Sequence, residues 1–294
     1  MNRLLSTALI AGLMLDSTRA FATVDWLGVD HALGRTSVVQ AGGVHRYGFP
    51  RNDLHVRLDG IAVKPALALG SWAAFRDMGD HAEVMGDLVL TQEEVNPVLS
   101  VLLANGLTIT ALHNHLLRSA PATMYMHIHG HGDVLKLATS IRLALAASAT
   151  PLTPPPTPPA PSAPIDTSAL DLGLRGKGQV NGGVVAYGFP RAEQIIEDGQ
   201  PVPPSLGLVT AINIQPTTVG KAVATGDFVL LASEVDPVLR ALRAGGIEVT
   251  ALHNHLAREQ PRLFFMHFWG NGPTQKLMAG LSAALDKMNL TRSR

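Results

Sequence analysis

The second half of the chain repeats the first, and this duplication constrains the fold more than any other property of the sequence. Residues 86–132 align with 226–272 without a gap at an offset of 140, with 25 identities in 47 positions. Upstream, Gly42-Gly43-Val44-His45-Arg46-Tyr47-Gly48-Phe49-Pro50-Arg51 recurs as Gly182-Gly183-Val184-Val185-Ala186-Tyr187-Gly188-Phe189-Pro190-Arg191 at the same offset. Between these blocks the register slips by one residue, so that Pro65-Ala66-Leu67 matches Pro204-Ser205-Leu206 at an offset of 139. Self-similarity on this scale means that one domain-sized unit is used twice. A duplicated chain commonly packs as its ancestral symmetric dimer would, so the repeats are expected to form a pseudo-dimer.

The predicted units are residues 23–148 and 165–294. Between them, 149–164 is rich in proline, which favours extended polyproline geometry and cannot build a core. Such a segment sets the reach between the units; service as a Pro-rich recognition ligand is its second reading. Residues 1–22 read as a signal peptide: Met1-Asn2-Arg3 is the positive start, Leu4 to Leu15 the apolar stretch and Ala20-Phe21-Ala22 the cleavage signal. That stretch is shorter than the roughly 20 residues of a spanning helix. A periplasmic or secreted protein with no membrane span is therefore expected. The chain has no cysteine, which excludes disulfides, thiolate nucleophiles and cysteine-ligated zinc. Lys plus Arg and Asp plus Glu both number 23, a balance that argues against a nucleic-acid partner.

Each unit begins with short apolar runs broken by glycine and proline, a pattern of several short strands. Asn96-Pro97 and Asp236-Pro237 predict a helix start, with the stop at Gly106 and Gly246. Residues 107–115 alternate like a strand and 122–129 supply a second, after which Asp133 caps a closing helix in the first copy. The resulting fold class is α+β: two homologous domains, each an antiparallel sheet with helices packed on one face.

Histidine is the outlier. Of 12 histidines, 8 fall within 113–131 and 253–267. Residues two apart on a strand share a face, so His113 and His115 point together, and an antiparallel neighbour can bring His127 beside them. The second copy repeats the set as His253, His255 and His267. Three converging imidazoles suit a divalent transition metal, zinc first, with a fourth position left for water. One such site is expected in each copy; structural hydrogen bonding is the competing role for the triplets. His129 and His131 occur only in the first copy, either as supplementary ligands or in an exposed loop. Glu259, which replaces Ser119, is a candidate general base, fourth ligand or second partner to the metal, with a solvated turn as the alternative. Asp87 and Asp227 are further candidate bases or ligands, although a Gly-Asp pair more often makes a turn. Glu94 and Glu234 are expected to serve a helix N-terminus. Arg51 and Arg191 fit a strand-end surface role better than contact with an anionic substrate.

His113-Asn114-His115 is not the HNH nuclease motif, and the cupin-like spacing of His253-Asn254-His255 and Glu259 is not followed by the cupin glycine pattern. Gly-Asp-(Leu/Phe)-Val-Leu, Glu-Val-x-Pro-Val-Leu and Thr-Ala-Leu-His-Asn-His-Leu followed by Pro and Met-His resemble the LppY/LpqO-type family, also described as a domain of unknown function (DUF1259). The resemblance covers nearly the whole chain apart from the leader and linker. It implies export and tandem domains, and no established reaction. Three functions are open at this stage. The first is an exported metal-dependent hydrolase, the second a non-catalytic module holding a metal or small ligand, and the third a structural protein of the cell envelope.

Overall fold

The computed structural model describes residues 24–154 and 165–291. The predicted signal segment and residues 155–164 of the linker lie outside the described residues. The first copy runs α1 (Trp26–Leu33), β1 (Val38–Gln40), β2 (Val44–Pro50), β3 (Arg57–Leu58), β4 (Ile61–Ala62), α2 (Pro65–Ala68), β5 (Gly70–Asp77), β6 (Ala82–Thr91), α3 (Gln92–Ala104), β7 (Thr108–His113), β8 (Thr123–Gly132) and α4 (Val134–Ala146). The second runs α5 (Ser168–Leu174), β9 (Gln179–Asn181), β10 (Val184–Pro190), β11 (Ile196–Glu197), β12 (Gln200–Pro201), β13 (Val209–Pro216), β14 (Lys221–Leu231), α6 (Ala232–Ala244), β15 (Glu248–His253), β16 (Leu263–Pro273) and α7 (Thr274–Leu285).

Each copy folds as a six-stranded antiparallel sheet, ordered β1-β2-β5-β6-β8-β7 in the first and β9-β10-β13-β14-β16-β15 in the second. The α+β duplication read from the sequence is the observed architecture. Alternation along the strands sorts the two faces. Leu88 and Leu90 of β6 and Met126 and Ile128 of β8 turn to one side, where Val98 and Leu102 of α3 and Leu137 and Ile141 of α4 complete a buried core. Their neighbours Asp87, Tyr125 and His127 turn to the other side, toward the second copy. Apolar periodicity thus fixes where the helices pack and leaves a mixed polar face for the partner repeat.

Helix α3 starts at Gln92 and α6 at Ala232, so Pro97 and Pro237 lie inside the helices. The expected start at Asn96 and Asp236 is corrected by a stronger signal upstream. Glu94 accepts the Thr91 N–H at 2.8 Å, and Glu234 accepts that of Leu231 at 2.8 Å. These bonds satisfy a backbone donor that helix geometry leaves unpaired. Glu94 and Glu234 therefore have the helix-terminal role expected of them. Asp133 caps α4 as predicted, accepting from the Lys136 N–H at 2.9 Å.

Arg51 and Arg191 are not surface residues. Arg51 is fully buried and donates to Glu94 at 2.7 and 3.1 Å, to the Val89 carbonyl at 2.8 Å and to Asp53. Arg191 repeats this with Glu234 at 2.6 and 3.0 Å and with the Val229 carbonyl at 2.7 Å. The planar guanidinium can bind a carboxylate through two nitrogens while a carbonyl takes a further proton, and this makes its burial tolerable. The same Glu94 carboxylate accepts the Ala149 N–H at 2.7 Å, and Arg35 donates to the Pro151 carbonyl at 2.6 Å. The first residues of the predicted linker are thus held on the first domain.

Contacts between the copies come in reciprocal pairs. The β3–β4 hairpin and α2 of the first copy supply Leu58, Val63 and Leu67 to an apolar cluster that includes Val223 and Trp269 of the second. In return, the segment around β11–β12 supplies Ile195, Val202 and Leu206 to a cluster with Val44, Ala74 and Met85. Gln215 donates to the Ala62 carbonyl at 2.9 Å, and Arg76 reaches the equivalent Pro201 carbonyl from the opposite side.

Replacing Arg51 with alanine leaves the Glu94 carboxylate short of its buried partner. The expected cost is about 3–5 kcal/mol of unfolding free energy, read by urea denaturation of the purified chain. Arg240→Ala, which breaks an exposed pair with Asp236, should leave the urea midpoint nearly unchanged.

Candidate metal centre

The three histidines of each copy are brought to one place by strand register. His127 on β8 lies opposite Asp87 of β6 on one side and Ala111 of β7 on the other, and Tyr125 lies opposite His113. In the second copy His267 lies between Asp227 and Ala251, and Phe265 lies opposite His253. Strands β7 and β15 end at His113 and His253, and the chain then carries His115 and His255 beyond them.

Asp87 and Asp227 sit in the middle of β6 and β14, so the turn reading of the Gly-Asp pairs is corrected. The glycines serve close strand approach. A Cβ on Gly226 would lie 1.9 Å from the Ala211 carbonyl oxygen, and one on Gly86 would lie 2.7 Å from that of Trp72.

The two triplets meet across the boundary between the repeats. His113 stacks on His253 with ring centroids 3.6 Å apart. His115 lies between Tyr125 at 3.5 Å and His267 at 3.7 Å. His255 lies between Phe265 at 3.5 Å and His127 at 3.6 Å. The face that carries the imidazoles is also the face by which the copies pack, so each expected triplet is kept as a donor set and His113 of the first copy joins the set of the second. The flanking aromatics Tyr125 and Phe265 went unnoticed in the sequence; their position two residues before His127 and His267 places them on the same strand face.

Nitrogen chemistry distinguishes this cluster from an ordinary polar core. The Nδ1 atoms of His113 and His253 face the carbonyls of Asn114 and Asn254 at 3.3 Å each, and His267 Nδ1 faces that of Gly226 at 3.0 Å. A proton on Nδ1 then leaves the Nε2 lone pair free to bind an electrophile. Among the described residues, the Nε2 atoms of all six histidines are buried without a hydrogen-bond partner, as are Asp87 Oδ1 and Asp227 Oδ1. An unsatisfied buried polar atom costs about 1–3 kcal/mol, and eight such atoms are concentrated at this boundary. The donor atoms of His113, His115 and His127 lie within 4.8 Å of one another, as do those of His113, His253, His255 and His267. Tetrahedral coordination at about 2.05 Å requires nitrogens roughly 3.4 Å apart, inside the 4.8 Å that bounds their present separations. His113 belongs to both sets.

Burial keeps these groups neutral. His113 falls to about 3, chiefly by desolvation and then by the nearby His253, and His253 falls to about 4 by desolvation. His115, His127, His255 and His267 lie well below the usual imidazole range, with burial the largest cause and neighbouring imidazoles next. Burial pushes Asp87 up to about 8 and Asp227 well above the usual carboxylate range. Asp87 stands 3.9 Å from both His115 and His127; Asp227 stands 3.8 Å from His255 and 3.7 Å from His267. Neutral imidazole is the form that ligates metals.

Glu259 is not part of this cluster. Its carboxylate accepts the Leu263 N–H at 2.8 Å and an Arg262 N–H at 3.2 Å, so it braces the turn into β16 from a fully buried position. The general-base and ligand readings of Glu259 are corrected accordingly. A cavity of about 20 Å³ reaches the centre and is lined by His127, His129 and His255 among others. It has room for about one water molecule. The half-buried His113 and His253 form the more open approach.

Fold and site together define a duplicated α+β protein with a histidine cluster shared between its repeats. A family profile described as Domain of Unknown Function (DUF1259) matches residues 28–147 and again residues 168–287. The chain belongs to that family and carries two copies of its domain. No curated protein matches it. Among solved structures, the trimeric bacterial microcompartment shell protein PduB is similar over 88% of this chain and 96% of that chain, at 13% identity and a TM-score of 0.24. EtuB from Clostridium kluyveri is similar over 85% of this chain and 89% of that chain, at 10% identity and a TM-score of 0.20. At such TM-scores these likenesses carry no structural argument. Among the described residues no helix is long and apolar enough to cross a membrane.

The metal-free protein should be most stable near pH 6.5. Below that value the unfolded chain takes up protons on histidines that the folded protein keeps neutral, so stability falls as pH drops toward 4. The slope is up to about 1.4 kcal/mol per pH unit for each imidazole involved. The two carboxyls act in the opposite sense, since their raised values favour the folded form at low pH, but six imidazoles outweigh them. Above about pH 7 the unfolded histidines have given up most of their protons and the carboxyls dominate, so stability declines toward pH 8 by up to about 1.4 kcal/mol per unit for each carboxyl. Urea titrations in chelator at pH 4.5, 5.5, 6.5 and 8 check the profile, and His113→Asn with His253→Asn should flatten its acid limb.

Proposed function

We propose that the chain is a metal-binding protein whose two repeats hold a divalent transition metal, zinc first, in one shared histidine centre. The supporting observation is the set of six buried imidazole Nε2 atoms without partners at the boundary between the copies. Imidazole donors suit zinc, copper, nickel and iron. Asp87 and Asp227 lie where a carboxylate can orient a ligating ring or enter the coordination shell itself. Because His113 stands in both donor sets, an ion bound there ties one repeat to the other. Export, which rests on the pattern of residues 1–22, would have the protein meet its metal outside the cytoplasm, and the LppY/LpqO-type resemblance agrees with that reading.

A metal-dependent hydrolase is the second reading. It is favoured by the two carboxyls within 3.9 Å of the histidines: a bound cation would draw Asp87 and Asp227 into the carboxylate form, in which either could accept a proton from metal-activated water. Binding ranks first because the unpartnered imidazole nitrogens call for a ligand whether or not a reaction follows.

Chelator-stripped, tag-free protein should take up zinc stoichiometrically in calorimetric titration. His115→Ala with His255→Ala should weaken uptake at least about 100-fold, since each change removes a direct ligand, where loss of even a supporting partner costs 10–100-fold. A stripped protein that binds none of zinc, copper, nickel or iron would overturn the proposal. Metal-dependent ester turnover abolished by Asp87→Asn and Asp227→Asn would promote the hydrolase reading over simple binding.

A further inference from the structure

At a second place between the repeats, one of two equivalent ends carries buried ionisable groups where the other carries an apolar cluster. At one end Leu58, Val223 and Trp269 share an apolar cluster, and the Trp269 Nε1–H reaches across to Asp59 Oδ2 at 2.9 Å. The matching positions at the other end, at offsets of 139, 140 and 140, are Glu197, Glu83 and His129. Three apolar residues of one cluster have three ionisable counterparts. Asn271 likewise has His131 as its counterpart, and Gln215 has Arg76. Random drift does not convert a whole contact set together, because a single charge placed among the other apolar partners would be buried unpaired.

The geometry of the polar end is that of a ligand set. His129 Nε2 lies 3.0 Å from Glu83 Oε1, and His131 Nε2 lies 4.0 Å from the same oxygen. The donor atoms of these three residues lie within 4.8 Å of one another. Arg76 holds the other Glu83 oxygen and so leaves Oε1 as the atom facing the imidazoles. Glu197, from the second copy, is 5% exposed, and its Oε2 is buried with no partner among the described residues. Its charge acts on His129 and Glu83, with Asp198 and Glu259 adding further negative charge nearby. His131 is 40% exposed and gives the cluster an opening to solvent.

We propose that Glu83, His129 and His131, completed by Glu197 from the other repeat, bind one divalent first-row transition metal ion at a site separate from the central histidine cluster. Two imidazoles with carboxylate oxygens suit zinc or ferrous iron better than the soft cuprous ion. The ion would satisfy the orphaned Glu197 oxygen and balance the acidic surroundings. The site shares no ligand with the central cluster, so it stands or falls independently of the function proposed above.

Cobalt(II) is the probe, followed by its visible absorption and by metal analysis of the full chain after chelator treatment. The background is His113→Asn with His253→Asn, which cripples the central cluster. This protein should still take up one cobalt ion. Adding His131→Asn, the residue that the second copy carries there, or Glu197→Leu, the residue that the first copy carries, should weaken uptake at least about tenfold. A background protein with a native circular dichroism spectrum that binds no cobalt, or binding unaltered by His131→Asn, would overturn the proposal. Should the background fail to fold, wild type is compared with His131→Asn alone. One equivalent fewer in the variant supports the site, and equal uptake sinks it.

Discussion

Stacking of imidazoles across the boundary between the repeats is the contact on which the rest of the molecule depends. Where two sheets pack face to face, the inner surfaces are ordinarily apolar; here the middle of the interface is polar. Six neutral rings, two aromatic rings and two neutral carboxyls replace the usual aliphatic filling. Desolvating them is unfavourable, and the apolar clusters on either side offset that cost. Both clusters draw residues from both copies, so neither repeat can complete its own surround.

A second device keeps each copy's frame rigid beneath that interface. One buried arginine joins the end of β2 to the start of α3 through Glu94, and the same carboxylate secures Ala149 where the chain leaves the domain. The second copy does the same with Arg191, Glu234 and Asn289. Three segments distant in sequence are thus referred to one carboxylate.

Much of this was legible in the sequence. The duplication, the α+β class, the capping roles of Asp133, Glu94 and Glu234, and the convergence of each histidine triplet all follow from local periodicity and local chemistry. Most of what escaped was decided by tertiary contact. Pro97 marked a helix start because proline is a strong first-turn signal, while the Thr91–Glu94 capping box that begins the helix a turn earlier was legible but outweighed in that reading. Arg51 read as a surface residue because a lone arginine carries no sign of its buried partners. Gly86-Asp87 fits a turn and a tight strand crossing equally well until the neighbouring carbonyl is in place. Glu259 looked like a base because its acceptors' partners, Leu263 and Arg262, are set by the turn geometry. The meeting of the two triplets could not be read at all, since alternation shows that residues share a face and not what that face meets.

The reciprocal packing of the hairpins has one further consequence. In a dimer of identical chains, any feature away from the axis is built twice or not at all, because one gene writes both ends. Joining the two copies in a single chain lifts that restriction. Leu58 and Glu197 occupy corresponding places on equivalent hairpins, and one became part of an oily contact while the other faces histidine. The fused architecture thus lets the two ends of one interface diverge, apolar at one and ionisable at the other.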